Sequence, residues 1–278
     1  MLGDSQKSRP LLFLLLLVLA IAFLLPIFIV FMNSFKGKFF ISDEPFVFPG
    51  GDTFVGLENY TSGIQKIGFF SAFGMSLFIT VFSVAAIVFF TSMTGWYLTR
   101  VKTKWSSALF FMFVFSMVVP FQMVMFTMTQ TANVVGLDNP VGLLVIYLGF
   151  GSGLSVFLFS GFVKSVPLEI EEAVMIDGGS PIDMFFKVIL PILKPIAITV
   201  AILNVMWVWN DYLLPYLVIG TEYQTIPIAV QYLKGGYGSI DMGAMMAMLV
   251  LAIIPIVLFY LFCQKYIIEG VVAGAVKG

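Results

Sequence analysis

Five carboxylates, Glu169, Glu171, Glu172, Asp177 and Asp183, fall close together in a chain that is 60% hydrophobic and only 10% charged. Catalysis has little to draw on here. The chain contains no His, offers no nucleophile beside a base and has no set of metal ligands. Its single Cys, Cys263, lies near the end of an apolar run and reads as a small buried hydrophobe. The work open to the carboxylates is electrostatic: capping helices, keeping a segment in water and pairing with basic groups on a partner.

The elements that must carry them follow from the caps. Ser165 is expected to cap a helix entered through Pro167, with Glu169, Glu171 and Glu172 in its first turns, where the positive end of the dipole favours them. Ile170, Ala173, Val174 and Asp177 follow at i, i+3, i+4 and i+7, a narrow apolar face flanked by acids. Gly178 and Gly179 supply a flexible stop. Ser180, Pro181 and Asp183 then read as N-cap, N1 and an acid at N3 able to close a capping box. A second helix is expected over 182–190, stopping before Pro191. On these residues alone the segment is either an interfacial connector or a docking element.

The rest of the chain is membrane-like. Its mean hydropathy is +1.05, with 31 Phe, 16 Met and 14 Lys plus Arg in 278 residues, far from the roughly 25% charge of soluble domains. Crossing an apolar layer of about 30 Å takes about 20 helical residues, and the alternating pattern of a membrane barrel is absent. Six apolar runs are long enough: 11–32, 69–98, 108–128, 141–163, 196–218 and 242–262. The first follows Lys7 and Arg9 as a signal peptide would, but its length exceeds the usual roughly 7 to 15 residues of a signal core and no small-x-small site follows, so it reads as a retained helix. The expectation is an all-α membrane protein, a single permease domain over 1–278 with six transmembrane helices and a polar loop at 164–195.

With the N-terminus in the cytoplasm, the inner segments hold Lys7, Arg9, Arg100, Lys102, Lys104, Lys164, Lys187, Lys194, Lys265 and Lys277, against Lys36, Lys38, Lys66 and Lys234 outside. This positive-inside bias puts both termini and the 164–195 loop in the cytoplasm. The longest outer loop, 33–68, is punctuated by Pro45, Pro49, Gly50 and Gly51; it is either a solvated connector or a dock for an external partner. A net charge of -1 gives no reason to expect nucleic acid.

The order of residues then becomes specific. Glu172-Ala173-Val174, Gly178 after three residues and Val188-Ile189-Leu190-Pro191 after nine more resemble the EAA loop of ABC importer permeases, E-A-A, three residues, G, nine residues, I-x-L-P. The departures, Val174 for Ala and Val188 for Ile, keep the apolar face. "IDG" at 176–178, "WVWNDYLLP" at 207–215 and the tail "QKYIIEGVVAGAVKG" at 264–278 resemble the carbohydrate, maltose-type branch of that family, and the resemblance covers essentially the whole chain.

The resemblance implies a subunit of a prokaryotic plasma-membrane sugar importer, not itself an enzyme. It would work with a second permease, two ATPase subunits that bind ATP and Mg, and an extracellular or periplasmic substrate-binding protein. The chain has no phosphate-cradling G-x-x-x-x-G-K-[ST] of its own and so needs no cofactor. Glu169, Glu172, Ala173, Val174, Asp177, Gly178 and Pro191 would form the coupling element that docks on an ATPase. The tail, with Gly274 and Lys277, is either frayed or reaches between the ATPases.

Within the membrane, Asp211 is the only carboxylate inside an expected span. Asn204, Asn210 and Asp211 with Trp207 and Tyr212 mix amide, carboxylate and aromatic surface, which suits a sugar's hydroxyls and C–H face. Gln122 after Pro120, with Ser152 and Ser155 in the glycine-rich 149–155 stretch, stands on the same footing. Each is either part of a translocation path or polar glue between helices. A self-sufficient secondary transporter or channel for a small polar solute is the competing reading; it needs coupling-ion sites or paired broken helices, and no convincing internal repeat is present.

Overall fold

The computed structural model describes residues 5–233 and 240–275. Among them there is no β-strand; an isolated bridge joins Lys36 and Phe54. The chain divides into two compact units, residues 1–70 with 229–255, and residues 71–228 with 256–278.

The first unit holds α1 (Ser5–Asn33), α2 (Lys38–Asp43), a 3-10 turn (Gly51–Thr53) and α3 (Glu58–Ile67). The side chains of α1 from Leu12 to Leu25 are apolar all round and mostly exposed, the character of a surface that faces lipid. The loop after it is more than a solvated connector. Gly37 N donates to Thr53 O (2.9 Å) and Val55 N to Phe35 O (3.0 Å). Buried Asn59 donates through Nδ2 to Ser34 O (2.9 Å) and Lys36 O (2.8 Å), and Ser34 Oγ lies 2.7 Å from Tyr60 OH. One amide side chain thus satisfies two carbonyls that would otherwise be orphaned in a buried turn.

The second unit runs through α4 (Phe69–Arg100), α5 (Lys104–Ser116), α6 (Phe121–Val134), α7 (Pro140–Val163), α8 (Leu168–Ile176), α9 (Pro181–Met184), a π-helical turn (Phe185–Ile189), α10 (Leu190–Ile192), α11 (Lys194–Asn210) and α12 (Leu213–Ile219). Short α13 (Ile226–Gln231) and long α14 (Met242–Ala275) follow in the chain, each with residues in both units. The starts obey local chemistry: Thr103 accepts from Ser106 N to cap α5, and Asn139 accepts from Val141 N and Gly142 N before Pro140 at the head of α7.

Four helical stretches among the described residues are long and apolar enough to cross a membrane: Leu12–Asn33, Phe69–Arg100, Pro140–Val163 and Met242–Tyr266. The other two expected spans are not continuous helices. The run 108–128 breaks after Ser116, and α5 and α6 meet at 107°. Pro120 causes this: it lacks an N–H, biases Val119 away from helix, and itself adopts ψ 135 as the N-cap of α6. The run 196–218 breaks at Asp211, whose backbone is extended (ψ 123). A further bend of 74° at Leu193 separates Pro181–Ile192 from α11.

The core of the second unit explains how the polar loop is held. Ile87 of α4, Phe159 and Val163 of α7 and Val200 of α11 enclose Met184, Phe185, Ile189 and Leu193. The polar loop is therefore rooted in the helix bundle. Close approach between α5 and α7 depends on Gly153, where a Cβ would fall 2.5 Å from Ser116 Oγ and 2.8 Å from Phe113 O.

Candidate functional site

The loop starts differently from its sequence pattern. Ser165 does not cap α8; its Oγ donates to Phe162 O (2.7 Å), and the N-cap position falls to Pro167, which has no acceptor side chain. A Ser side chain this close to the preceding helix finds its partner there, as Ser and Thr often do. Glu169 and Glu171 occupy the first turn of α8.

The two sides of α8 do unlike work. Inward go Glu171, 4% exposed, and Val174, which packs on the core cluster. Outward lie Glu169, Ile170, Glu172, Ala173, Met175, Ile176 (85% exposed) and Asp177. The expected apolar face of Ile170, Ala173, Val174 and Asp177 is thus not the packed face: only Val174 is held by the protein's own core. The spacing of Glu171 and Val174 at i, i+3 decides which stripe turns inward, because the buried carboxylate has a partner. Arg100 Nε donates to Glu171 Oε1 (2.8 Å), and Arg100 Nη2 to Val166 O (2.8 Å). In the sequence, Arg100 reads only as a topology marker and Glu171 only as a dipole partner.

The corner is built as expected from its glycines. Gly179 N donates to Val174 O (2.9 Å) and Gly178 N to Met175 O (3.1 Å), the two bonds of a Schellman stop, with Gly178 at φ +77. Ser180 then caps α9, accepting from Asp183 N (3.1 Å) while its Oγ donates to the Asp183 carboxylate (2.6 Å). The bond from Lys187 (Nζ to Oδ1 2.6 Å), followed by that from Ser180, holds the Asp183 carboxyl down at about 2. The second helix does not stop before Pro191. It passes through a π turn, in which Leu190 N donates to Phe185 O, and continues to Ile192. A π turn relaxes the i−4 ladder that the proline ring would otherwise disrupt.

The second group of candidates falls into two sets. Ser155 and Asn204 are buried, and Asn204 Nδ2 donates to Ser155 Oγ (3.2 Å) and Val200 O (2.8 Å), joining α7 to α11. Gly151 makes room for this amide: a Cβ there would lie 3.0 Å from Asn204 Oδ1 and 2.6 Å from Ile87 Cδ1. Ser152 bonds back to Leu148 O within α7. The other set gathers at the α11–α12 break. Asp211 Oδ1 accepts from Leu213 N (3.0 Å) and Leu214 N (3.3 Å), capping α12, and Oδ2 accepts from Tyr147 OH (3.1 Å). Trp207 meets Tyr147 edge-on at 5.3 Å, and Tyr212 stacks on Tyr216 at 5.3 Å.

Asn210 is exposed and, among the described residues, its side chain bonds to Met206 O (2.7 Å), and Gln122 is exposed at the head of α6. Tyr147, which no sequence signal singles out, is fully buried; a Tyr inside an apolar helix is silent in a pattern reading. Gly274 is in the last turn of α14, while Lys277 lies outside the described residues. Among the described residues no cluster of acids and Cys suits a metal ion.

Long apolar helices, two sharply bent helix pairs and an exposed short helix anchored in the bundle define a helical membrane transport component. Residues 88–272 match the family described as binding-protein-dependent transport system inner membrane component, and the chain belongs to that family. It is a multi-pass protein of the cytoplasmic membrane. Over 262 residues it is 38% identical to the probable starch degradation products transport system permease protein AmyC of Thermoanaerobacterium thermosulfurigenes, covering 94% of each chain. It is 34% identical to the multiple sugar-binding transport system permease protein MsmG of Streptococcus mutans, covering 95% of this chain and 96% of that one. In fold it is similar to a chain of a bacterial ABC transporter that imports the acidic polysaccharide alginate, with a TM-score of 0.77 and 21% identity, covering 96% of this chain and 99% of that one.

Proposed function

We propose that this chain is a permease subunit of an ATP-driven importer that carries a sugar or oligosaccharide into the cell by alternating access. The observation that carries the reading is the division of α8: one side tied to the bundle through Glu171 and Arg100, the other, with Glu169, Glu172, Ala173 and Asp177, open and ready for a partner. A docking helix must be exposed to receive a force and anchored to pass it on. The sugar-transport roles of AmyC and MsmG support a sugar as cargo.

In this reading six spans cross the membrane, the four long helices together with the broken runs 108–128 and 196–218, as a single permease domain with both termini and α8 in the cytoplasm. Two ATPase subunits carry ATP and Mg, a second permease completes the pathway, and a substrate-binding protein delivers cargo, in keeping with the family's binding-protein dependence. Ala173 and Val174 keep the docking helix slim, Glu169, Glu172 and Asp177 face basic groups of the ATPase, and Pro191 helps set the bend back into the membrane. The tail at Gly274 and Lys277 extends toward the ATPases. Gln122, Trp207, Asn210 and Tyr212 line the sugar path; Asp211 positions them, and Ser155 with Asn204 ties the helices behind it.

Swinging such a permease from 99% one way to 99% the other takes about 5.5 kcal/mol of differential binding, which closure of the ATPase dimer has to supply. Purifying the tagged chain from its own membranes is expected to bring down an ATPase and a second permease, and uptake of labelled oligosaccharide into vesicles is expected only with the full set and ATP. Uptake by this chain alone would overturn the proposal in favour of a self-sufficient transporter.

A further inference from the structure

The turn between α4 and α5 reads R-V-K-T-K-W-S-S from Arg100 to Ser107. Arg100 is committed to Glu171, but Lys102 and Lys104 are exposed and, like Lys164 at the end of α7, enter none of the ion pairs found among the described residues. These three cations, outside those ion pairs, lie at the adjoining ends of α4, α5 and α7 and can meet an anion from outside the chain.

Beside them lies a groove of about 150 Å3 between the ends of α4, α5 and α7, lined by Leu98, Thr99, Ser107, Phe110, Phe111, Ser160 and Lys164. No carboxylate lines it. Lys164 Nζ sits 5.8 Å from the centroid of Phe110, held at the groove by its aromatic wall. On α5, Lys104, Ser107 and Phe111 follow at i, i+3 and i+7 and so share one stripe: a cation, a hydroxyl, then an apolar ring. Trp105 is 82% exposed and Phe111 67%. An exposed Trp at the end of an apolar helix marks the headgroup level, with Phe111 deeper among acyl chains.

We propose that this groove binds the headgroup of an anionic phospholipid. Its phosphodiester meets Lys164 and Ser107, with Lys104 and Lys102 at the rim. The hydroxyls of Thr99 and Ser160 both donate to Gly95 O (2.7 and 3.3 Å). They have no proton left for a phosphate, but their lone pairs accept from a hydroxylated headgroup such as glycerol. Phe110, Phe111 and the exposed flank of α5 take the first part of an acyl chain. A basic pocket between helices at a headgroup level is the physical form of such sites, and a free phosphate would leave the aromatic wall unused. The proposal rests on membrane insertion and not on the coupling role of α8.

The test is native mass spectrometry of the purified full-length chain with dioleoylphosphatidylglycerol or dioleoylphosphatidylcholine. Wild type is expected to retain phosphatidylglycerol more firmly than phosphatidylcholine. Lys164→Ala and Lys104→Ala are each expected to weaken phosphatidylglycerol by about fivefold, and Lys187→Ala, on α9's ion pair, to leave it unchanged. Equal retention of the two lipids, or undiminished phosphatidylglycerol binding by the Lys164→Ala/Lys104→Ala double variant, overturns the site. Inorganic phosphate that displaces the lipid and binds with the same lysine dependence overturns the lipid in favour of a free anion.

Discussion

Arg100 and Glu171, far apart in sequence, meet through a 2.8 Å bond between the last turn of α4 and the buried side of α8. The same guanidinium reaches Val166 O ahead of the helix, so one side chain fixes both the approach and the orientation of α8. Both side chains are largely shielded, at 19% and 5% exposure. Removing one partner of such a pair strands the other charge, which typically costs about 3–5 kcal/mol. Arg100→Ala is expected to lower the thermal stability of the purified chain and to reduce ATP-driven uptake by at least about tenfold. The exchange Arg100→Glu with Glu171→Arg is expected to recover part of both. No recovery in the exchanged variant, measured against each single variant, would argue that Arg100 acts through Val166 O alone.

Gly178 tests the corner. Its φ of +77 costs a residue with a Cβ about 1–2 kcal/mol, yet a Cβ at this exposed position would meet nothing within 4 Å. Gly178→Leu is therefore expected to insert and fold while the stop re-forms imperfectly, turning the docking side of α8 relative to its anchor. In the assembled importer, ATP hydrolysis is expected to continue while labelled sugar uptake falls by about tenfold or more. Normal uptake by this variant would remove the corner from the coupling path.

The sequence made the linear parts of this arrangement readable and hid the spatial ones. The Schellman stop and the Ser180 cap follow from Gly178, Gly179, Ser180 and Pro181, because caps are local chemistry. Pro120 announced its own break, yet the apolar run around it invited a single span. The break at Asp211 was harder, since hydropathy averages over a lone acid, although an Asp before an apolar Leu213–Ile219 run is a start signal. The Arg100–Glu171 tie had no local trace: opposite charges on separate elements become a pair only when the fold brings them together. The same holds for Tyr147 beneath Asp211.

The pH response follows from two carboxylates outside the spans. Asp183 is held at about 2 by Lys187 and Ser180. For Asp241, burial pushes the carboxyl up, but the ion pair with Lys66 and the bond from Ala244 N outweigh it and leave it lowered. A carboxylate lowered in the folded state contributes stability that is fully present above its unfolded value, about 3.9, and is lost as pH falls toward the folded value. With no His to titrate nearer neutrality, the melting temperature of the purified chain is expected to be flat from about pH 6 to pH 8 and to decline below about pH 4. A transition centred near pH 6.5 would mean that some other group titrates in this window.

Asp211 separates two roles that a carboxylate at a helix break could have. Its Oδ1 accepts from Leu213 N and Leu214 N and its Oδ2 from Tyr147 OH, so its partners among the described residues are neutral donors and none is a cation. An amide oxygen can accept the two backbone bonds equally well, since Asn caps helices as effectively as Asp. Asp211→Asn is therefore expected to keep both stability and sugar uptake close to wild type. Asp211→Ala loses the cap, which typically costs about 0.5–2 kcal/mol, and leaves the Tyr147 hydroxyl of α7 without this acceptor; uptake is expected to fall as Trp207, packed on Tyr147, loses its position. The measurement is initial uptake rate against sugar concentration for the three proteins. If Asp211→Asn proves as damaging as Asp211→Ala while its thermal stability is unchanged, the negative charge itself acts on the cargo, and the carboxylate belongs to the path and not to the scaffold beside it.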